Sequence, residues 1–142
     1  SYVATAESAK RILDAGGSVQ LGAHGQLAGL GAHWELWVLA QGGFTEMEAL
    51  RAATIAGAEY LGLDDDLGSL EEGKLADLLV LERNPLSDIR NSELVELVMV
   101  NGRLYDADTL AQLGNHPAPA PEPIWQRGGS TAAAAETRGH GH

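Results

Sequence analysis

Cysteine is absent from the 142 residues, which removes disulfide frameworks, thiolate zinc sites and cysteine nucleophiles from consideration. Basic residues are scarce: nine Lys plus Arg stand against twenty Asp plus Glu, for a formal net charge of −11 at pH 7. A nucleic-acid surface needs a positive footprint, so DNA or RNA is disfavoured as a partner. No apolar run approaches the roughly eighteen residues that a membrane-spanning helix needs. No charged-then-apolar leader opens the chain at Ser1, and the sequence assigns no compartment. Length adds a further exclusion. A complete (β/α)8 barrel takes about 200 residues or more, and this chain is shorter.

What is present is globular in character, 44% hydrophobic and 20% charged. Residues 1–15 are expected to form a helix, with Glu7 and Arg11 in the favourable i,i+4 order and Gly16-Gly17 as its stop. Ser18 to Leu21 is a short strand candidate, and the stretch from Gly22 to Gly31, with four glycines, is a loop following it. Ala32 to Gln41 is apolar on nearly every side and predicts a helix buried on most faces. Thr45 and Glu48 spell a capping box for a helix expected to run to about Ala56, with Gly57 as a weak stop and a further turn over Ala58 to Leu61.

After Gly68 the texture changes. Lys74 to Leu81 is a short apolar run bounded by Gly73 and Asn84-Pro85, which suits a buried strand. Leu94 to Val100 predicts a second strand, and Asn101-Gly102 predicts a two-residue type I′ turn leading into Arg103-Leu104-Tyr105. Residues 1–63 therefore read as helix and strand in alternation, and 64–107 as a strand-and-hairpin unit. Residues 108–142 carry four of the five prolines, at 117, 119, 121 and 123, followed by Gly128-Gly129-Ser130 and an alanine run. That composition buries little and predicts a flexible tail.

Four stretches together resemble the C-terminal portion of the amidohydrolase superfamily. They are Gly43 to Leu50 with Ala53-Thr54 and Gly57-Ala58, Leu67 to Leu81 with its Gly73-Lys74-Leu75-Ala76-Asp77 core, Asn84-Pro85-Leu86, and the Val98 to Arg103 hairpin. The resemblance covers roughly residues 8–107. It implies an α/β chain: the last helix–strand–helix elements of a (β/α)8 TIM barrel, then part of a composite β-sandwich, incomplete as an isolated chain. It also implies a divalent metal, usually zinc, in the complete parent enzyme. Family ligands are a His-x-His pair on the first strand, a carboxylate or carboxylated lysine in mid-barrel, two further histidines, and an aspartate ending the eighth strand. A bound metal lowers the pKa of its water toward 7 and so generates a nucleophile. Here Ser18 to Leu21 matches the eighth strand, and His24 falls where the aspartate is usual. The Ala23-His24-Gly25-Gln26 sequence is also similar to a branch associated with Tol-B-type β-propellers.

His24 is accordingly the catalytic candidate, since imidazole can ligate zinc or accept a proton near neutral pH. A histidine beside a glycine-rich loop can also serve only to hydrogen-bond backbone. His33 and Glu35 resemble substrate-side groups of related peptidase-like members. Two residues apart, they point about 200° from each other on a helix and cannot aim at one ligand, and Glu35 alternatively suits a carboxylate in the first turn of a helix. Trp34 and Trp37 are expected in the core, and Asp77 is expected to satisfy local backbone groups. Asp64-Asp65-Asp66 fits a solvated turn, and His140-Gly141-His142 copies a metal motif by chance.

The implied function is that of the C-terminal portion of a metal-dependent hydrolase of C–N bonds, acting on amides, cyclic imides or peptide-like small molecules. Alone, the chain is expected to be inactive, because one ligand cannot hold a catalytic metal that needs three or more. Its expected partners are the rest of the barrel or further copies of itself. Two alternatives stay open: a non-catalytic interaction or oligomerisation module derived from the same fold, and an unrelated small acidic binding domain.

Overall fold

A computed structural model describes residues 1–23, 27, 29–114 and 116–122. Four helices come first: α1 (Tyr2–Asp14), α2 (Leu30–Gln41), α3 (Glu46–Ala52) and α4 (Ile55–Leu61). An antiparallel meander follows, built from β1 (Leu78–Leu81), β2 (Val95–Val100), β3 (Arg103–Asp106) and β4 (Gln112–Leu113) in that spatial order. A 3-10 helix, Ile89–Glu93, sits between β1 and β2.

Small residues let the helices approach. A Cβ added at Gly42, just past α2, would meet the Ala6 carbonyl carbon at 2.6 Å and the Glu7 nitrogen at 2.8 Å, so glycine is required for α1 to lie against that turn. Ala6, Leu36, Leu39, Phe44, Ala49 and Ala52 then close one apolar core, and Ile89 of the 3-10 helix enters the same core. Burying such side chains contributes about 1.5–3 kcal/mol for each large one. Lys10 ties α1 to α3: its ammonium lies 3.1 Å from Glu48, bonds Asp14, and sits 5.9 Å above the Phe44 ring. The capping box forms as the sequence predicts, with Glu48 N–H donating to Thr45 Oγ1 at 3.2 Å and Thr45 N–H donating to Glu48 at 2.8 Å.

The meander is fixed by its turn. Asn101 (φ 49°) and Gly102 (φ 75°) both adopt left-handed backbone, as a type I′ turn demands, and Val100 pairs with Arg103 across it. Asp77 accepts from the Asn101 amide, so this carboxylate serves the hairpin's backbone, in line with expectation. Pairing of β1 with β2 shifts by one residue between Val80 and Leu81, leaving Glu96 as the extra residue of a bulge.

Several expectations are corrected. Ser18 to Leu21 is not a strand, because no strand among the described residues pairs with it; its one backbone link there is Leu21 N–H to the Ala52 carbonyl at 2.9 Å. The helix begun at Thr45 breaks at Ala53-Thr54, where Thr54 leaves helical geometry (φ −133°, ψ −103°), and Gly57 lies inside α4. The first strand is shorter than Lys74 to Leu81. Its first half instead ties the preceding loop, with Lys74 Nζ donating to the Asp64 carbonyl and Ser69 Oγ, and Leu75 N–H donating to Asp66. Helix α2 buries only Leu36 and Leu39, and Trp34 is 44% exposed rather than in the core. The sheet also continues past residue 107, through Gln112–Leu113 and a bridge from Gln112 to Ala118.

Glu48 links the cap to the ion pair. Bonds from the Thr45 amide and from Lys10 hold its carboxyl below the usual carboxylate range. Its contribution is therefore present above the ordinary carboxylate pKa and lost as pH falls through the lowered folded value. Replacing Glu48 by Gln is expected to lower stability at neutral pH and to flatten the fall in stability on acidification, read by urea denaturation across pH 2–7. An unchanged acid slope would contradict this role.

Candidate functional site

The functional candidates gather around the N-terminal half of α2. Gly29, with φ 80°, ends the glycine-rich stretch and lets the chain turn into Leu30. Helical geometry then sorts the side chains. His33 and Trp37, four residues apart, share a face, and Glu35 points elsewhere.

The shared face meets the 3-10 helix. Trp37 Nε1–H donates to Ser92 Oγ at 3.2 Å, and His33 Nδ1 lies 3.2 Å from the same oxygen. Ser92 is 4% exposed, so this is a shielded contact. The Arg90 guanidinium lies 4.9 Å over the Trp37 ring, a cation–π arrangement on the outer side of the joint. The 3-10 helix forms because Asn84-Pro85 ends the run of β1 and Asp88 caps the next turn by accepting from the Arg90 amide at 2.9 Å. Ser92 was not singled out in the sequence. The available signal was local, the Asp88 cap placing Ile89 and Ser92 on one face of a short helix.

Glu35 acts on the other side of α2. Its two carboxylate oxygens accept from the Gly22 amide at 3.1 and 3.2 Å. With Leu21 N–H bonded to Ala52 O, the chain is held at two successive residues before it enters the glycine-rich stretch. The opposed directions of His33 and Glu35 thus agree with their spacing, and Glu35 accepts from a backbone amide. His24 lies outside the described residues, as does His140-Gly141-His142. Among the described residues no group of three or more His, Asp or Glu side chains is placed to hold a metal ion, Asp64-Asp65-Asp66 included. A cleft of about 220 Å³ bordered by Leu13, Phe44, Glu48 and Arg51 lies among the helices, and one of about 330 Å³ runs along Arg103, Leu104 and Gln112. Neither takes in His33 or Glu35. No helix among the described residues is long and apolar enough to cross a membrane.

Replacing Glu35 by Ala is expected to speed hydrogen exchange of the Gly22 amide about tenfold, the loss of one charge-assisted bond. Glu35→Gln keeps an acceptor oxygen and should retain most of the protection. Equal exchange in all three proteins would show that the carboxylate does not hold Gly22.

Comparison with known proteins places these elements. The amidohydrolase family model matches residues 6–105, taking in the helices, the 3-10 helix and the hairpin. The 5′-deoxyadenosine deaminase of Methanobrevibacter smithii is 38% identical over 66 residues, which are 46% of this chain and 15% of that protein. The ochratoxinase of Aspergillus niger is 36% identical over 78 residues, 52% of this chain and 16% of that protein. Among solved structures, an amidohydrolase from Thermotoga maritima superposes with a TM-score of 0.59 at 31% identity, covering 68% of this chain and 25% of its own. A Bifidobacterium longum structure gives 0.61 at 37% identity, covering 87% of this chain and 28% of its own. The chain spans less than a fifth of the length of these curated relatives. With a family match over residues 6–105, most of its length, the chain belongs to the amidohydrolase family.

Proposed function

We propose that this chain supplies the closing helical elements and the returning sheet of a metal-dependent amidohydrolase, which hydrolyses C–N bonds in amides, cyclic imides or peptide-like small molecules. The single observation that carries this is the family match over residues 6–105, from within α1 to within β3. In this account residues 1–63 complete a (β/α)8 barrel, and residues 64–107, with the added pairing at Gln112–Leu113, return into a composite β-sandwich. Ser18 to Leu21 would gain its strand partners from barrel strands outside this stretch.

Amidohydrolases generally use a divalent metal. The described residues do not fit one, since they offer no three-ligand group, and a catalytic site needs about three protein ligands. Zinc is the metal we favour, held by residues outside this chain, with His24 as the one candidate this chain contributes at the reaction centre. His33 is the substrate-side group that α2 presents. The relatives suggest the substrates to try: 5′-deoxyadenosine, from the deaminase, and dipeptides ending in proline, from a Xaa-Pro dipeptidase structure of 39% identity covering 53% of this chain and 18% of its own, with a TM-score of 0.51.

Exposed apolar side chains support the need for covering elements: Tyr2 (86%), Tyr60 (77%), Leu79 (56%) and Val100 (53%) all face outward. Those same surfaces are compatible with self-association of the isolated chain, the behaviour of an interaction module. The purified 142-residue chain, supplied with zinc or manganese, is expected to show no turnover of 5′-deoxyadenosine or of glycyl-proline above background. Turnover that disappears with a chelator would overturn the assignment of the metal site to residues outside the chain.

A further inference from the structure

The joint between α2 and the 3-10 helix fixes more than packing. Ser92 Oγ has one hydrogen to give and two lone pairs to offer. The Trp37 indole N–H can only donate, so its bond at 3.2 Å occupies a lone pair and leaves the hydroxyl hydrogen to be placed. Ser92 is 4% exposed, which denies that hydrogen a solvent acceptor, and a shielded donor left unmade is costly. Among the described residues the only other hydrogen-bond partner of Oγ is His33 Nδ1, at 3.2 Å.

The geometry points to a relay, Trp37 Nε1–H to Ser92 Oγ–H to His33 Nδ1, that locks neutral His33 in its Nε2–H tautomer and makes it an outward hydrogen-bond donor. Nε2 has no partner among the described residues, and the His33 ring is only half-buried, so this N–H faces accessible space. A donor there suits a carbonyl or carboxylate oxygen, such as an amide-type substrate carries. It does not suit a metal ion or an acidic proton, both of which require a lone pair at Nε2, which this tautomer lacks there. Ser92 is thereby a positioning residue for His33, and Trp37 acts through Ser92 at one further remove. The use of the donor toward substrate rests on the proposed function. The tautomer does not, so the two fail separately.

The test is nitrogen NMR of the 142-residue chain labelled with ¹⁵N-histidine, at a pH where imidazole is neutral, with His33 assigned by the signals lost in His33→Gln. The expected result is a protonated Nε2 and an unprotonated Nδ1 for His33. Ser92→Ala should relax the ring toward the mixture of tautomers found in free imidazole, and Ser92→Thr should preserve the wild-type pattern. Should Ser92→Ala fail to fold, the wild-type pattern still decides, and Trp37→Phe, which leaves the shielded hydroxyl hydrogen with His33 Nδ1 as its acceptor, should keep Nε2 protonated. Adding one equivalent of Zn²⁺ should leave the wild-type His33 signals in place. A wild-type His33 protonated at Nδ1, or a His33 Nε2 signal displaced by zinc, would overturn the inference.

Discussion

A single buried hydroxyl joins the two halves of this chain. Helices α1–α4 form one unit and the meander another, and the 3-10 helix carrying Ser92 is the element that meets both, packing on α2 and adjoining β1. Ser92 Oγ receives the Trp37 indole while Ile89, on the same short helix, enters the apolar core of the helices. At this joint the described residues hold the sheet to the helices by an apolar plug, the shielded Ser92 hydroxyl and the Arg90–Trp37 contact. Remove the polar contact and Trp37 keeps a donor with no acceptor, which burial penalises more than the bond itself stabilises.

The same contact organises the candidate site. Because His33 and Trp37 are one helical turn apart, the hydroxyl that seats the indole also seats the imidazole. Glu35, on another face, holds Gly22 and with it the entry to the glycine-rich stretch. One helix thus works on both sides: inward on the sheet through Ser92, and outward on the loop through Glu35. Apolar side chains remain exposed on both parts of the chain, at Tyr2 and Tyr60 of the helices and at Leu79 of the sheet.

Features coded locally were legible in the sequence, and those coded by distant partners were not. Asn101-Gly102 and the Thr45–Glu48 box each carry their geometry within a few residues, and both formed as expected. Asp77 was legible for its bond to backbone. Ser18 to Leu21 has the pattern of a strand, but a strand exists only with a neighbour, and none of the described residues supplies one. The break at Thr54 and the shortening of β1 lie beside tertiary links, Ala58 against Gly68 and Lys74 to Asp64, that no helix or strand pattern encodes. The two bonds of Ser92 were illegible for the same reason: their partners lie 55 and 59 residues away in the chain. The family resemblance reached further than either pattern, because it carries the joint arrangement of helices and sheet as a unit.

The measurement that bears most directly on the joint is a double-mutant cycle between Trp37→Phe and Ser92→Ala, followed by urea denaturation. Two residues bonded through a shielded hydroxyl should couple by about 1 kcal/mol, so the double variant should lose less stability than the two single losses combined. Single losses that add to within about 0.3 kcal/mol would show that the indole and the hydroxyl act independently, and that something other than Ser92 holds the sheet to the helices.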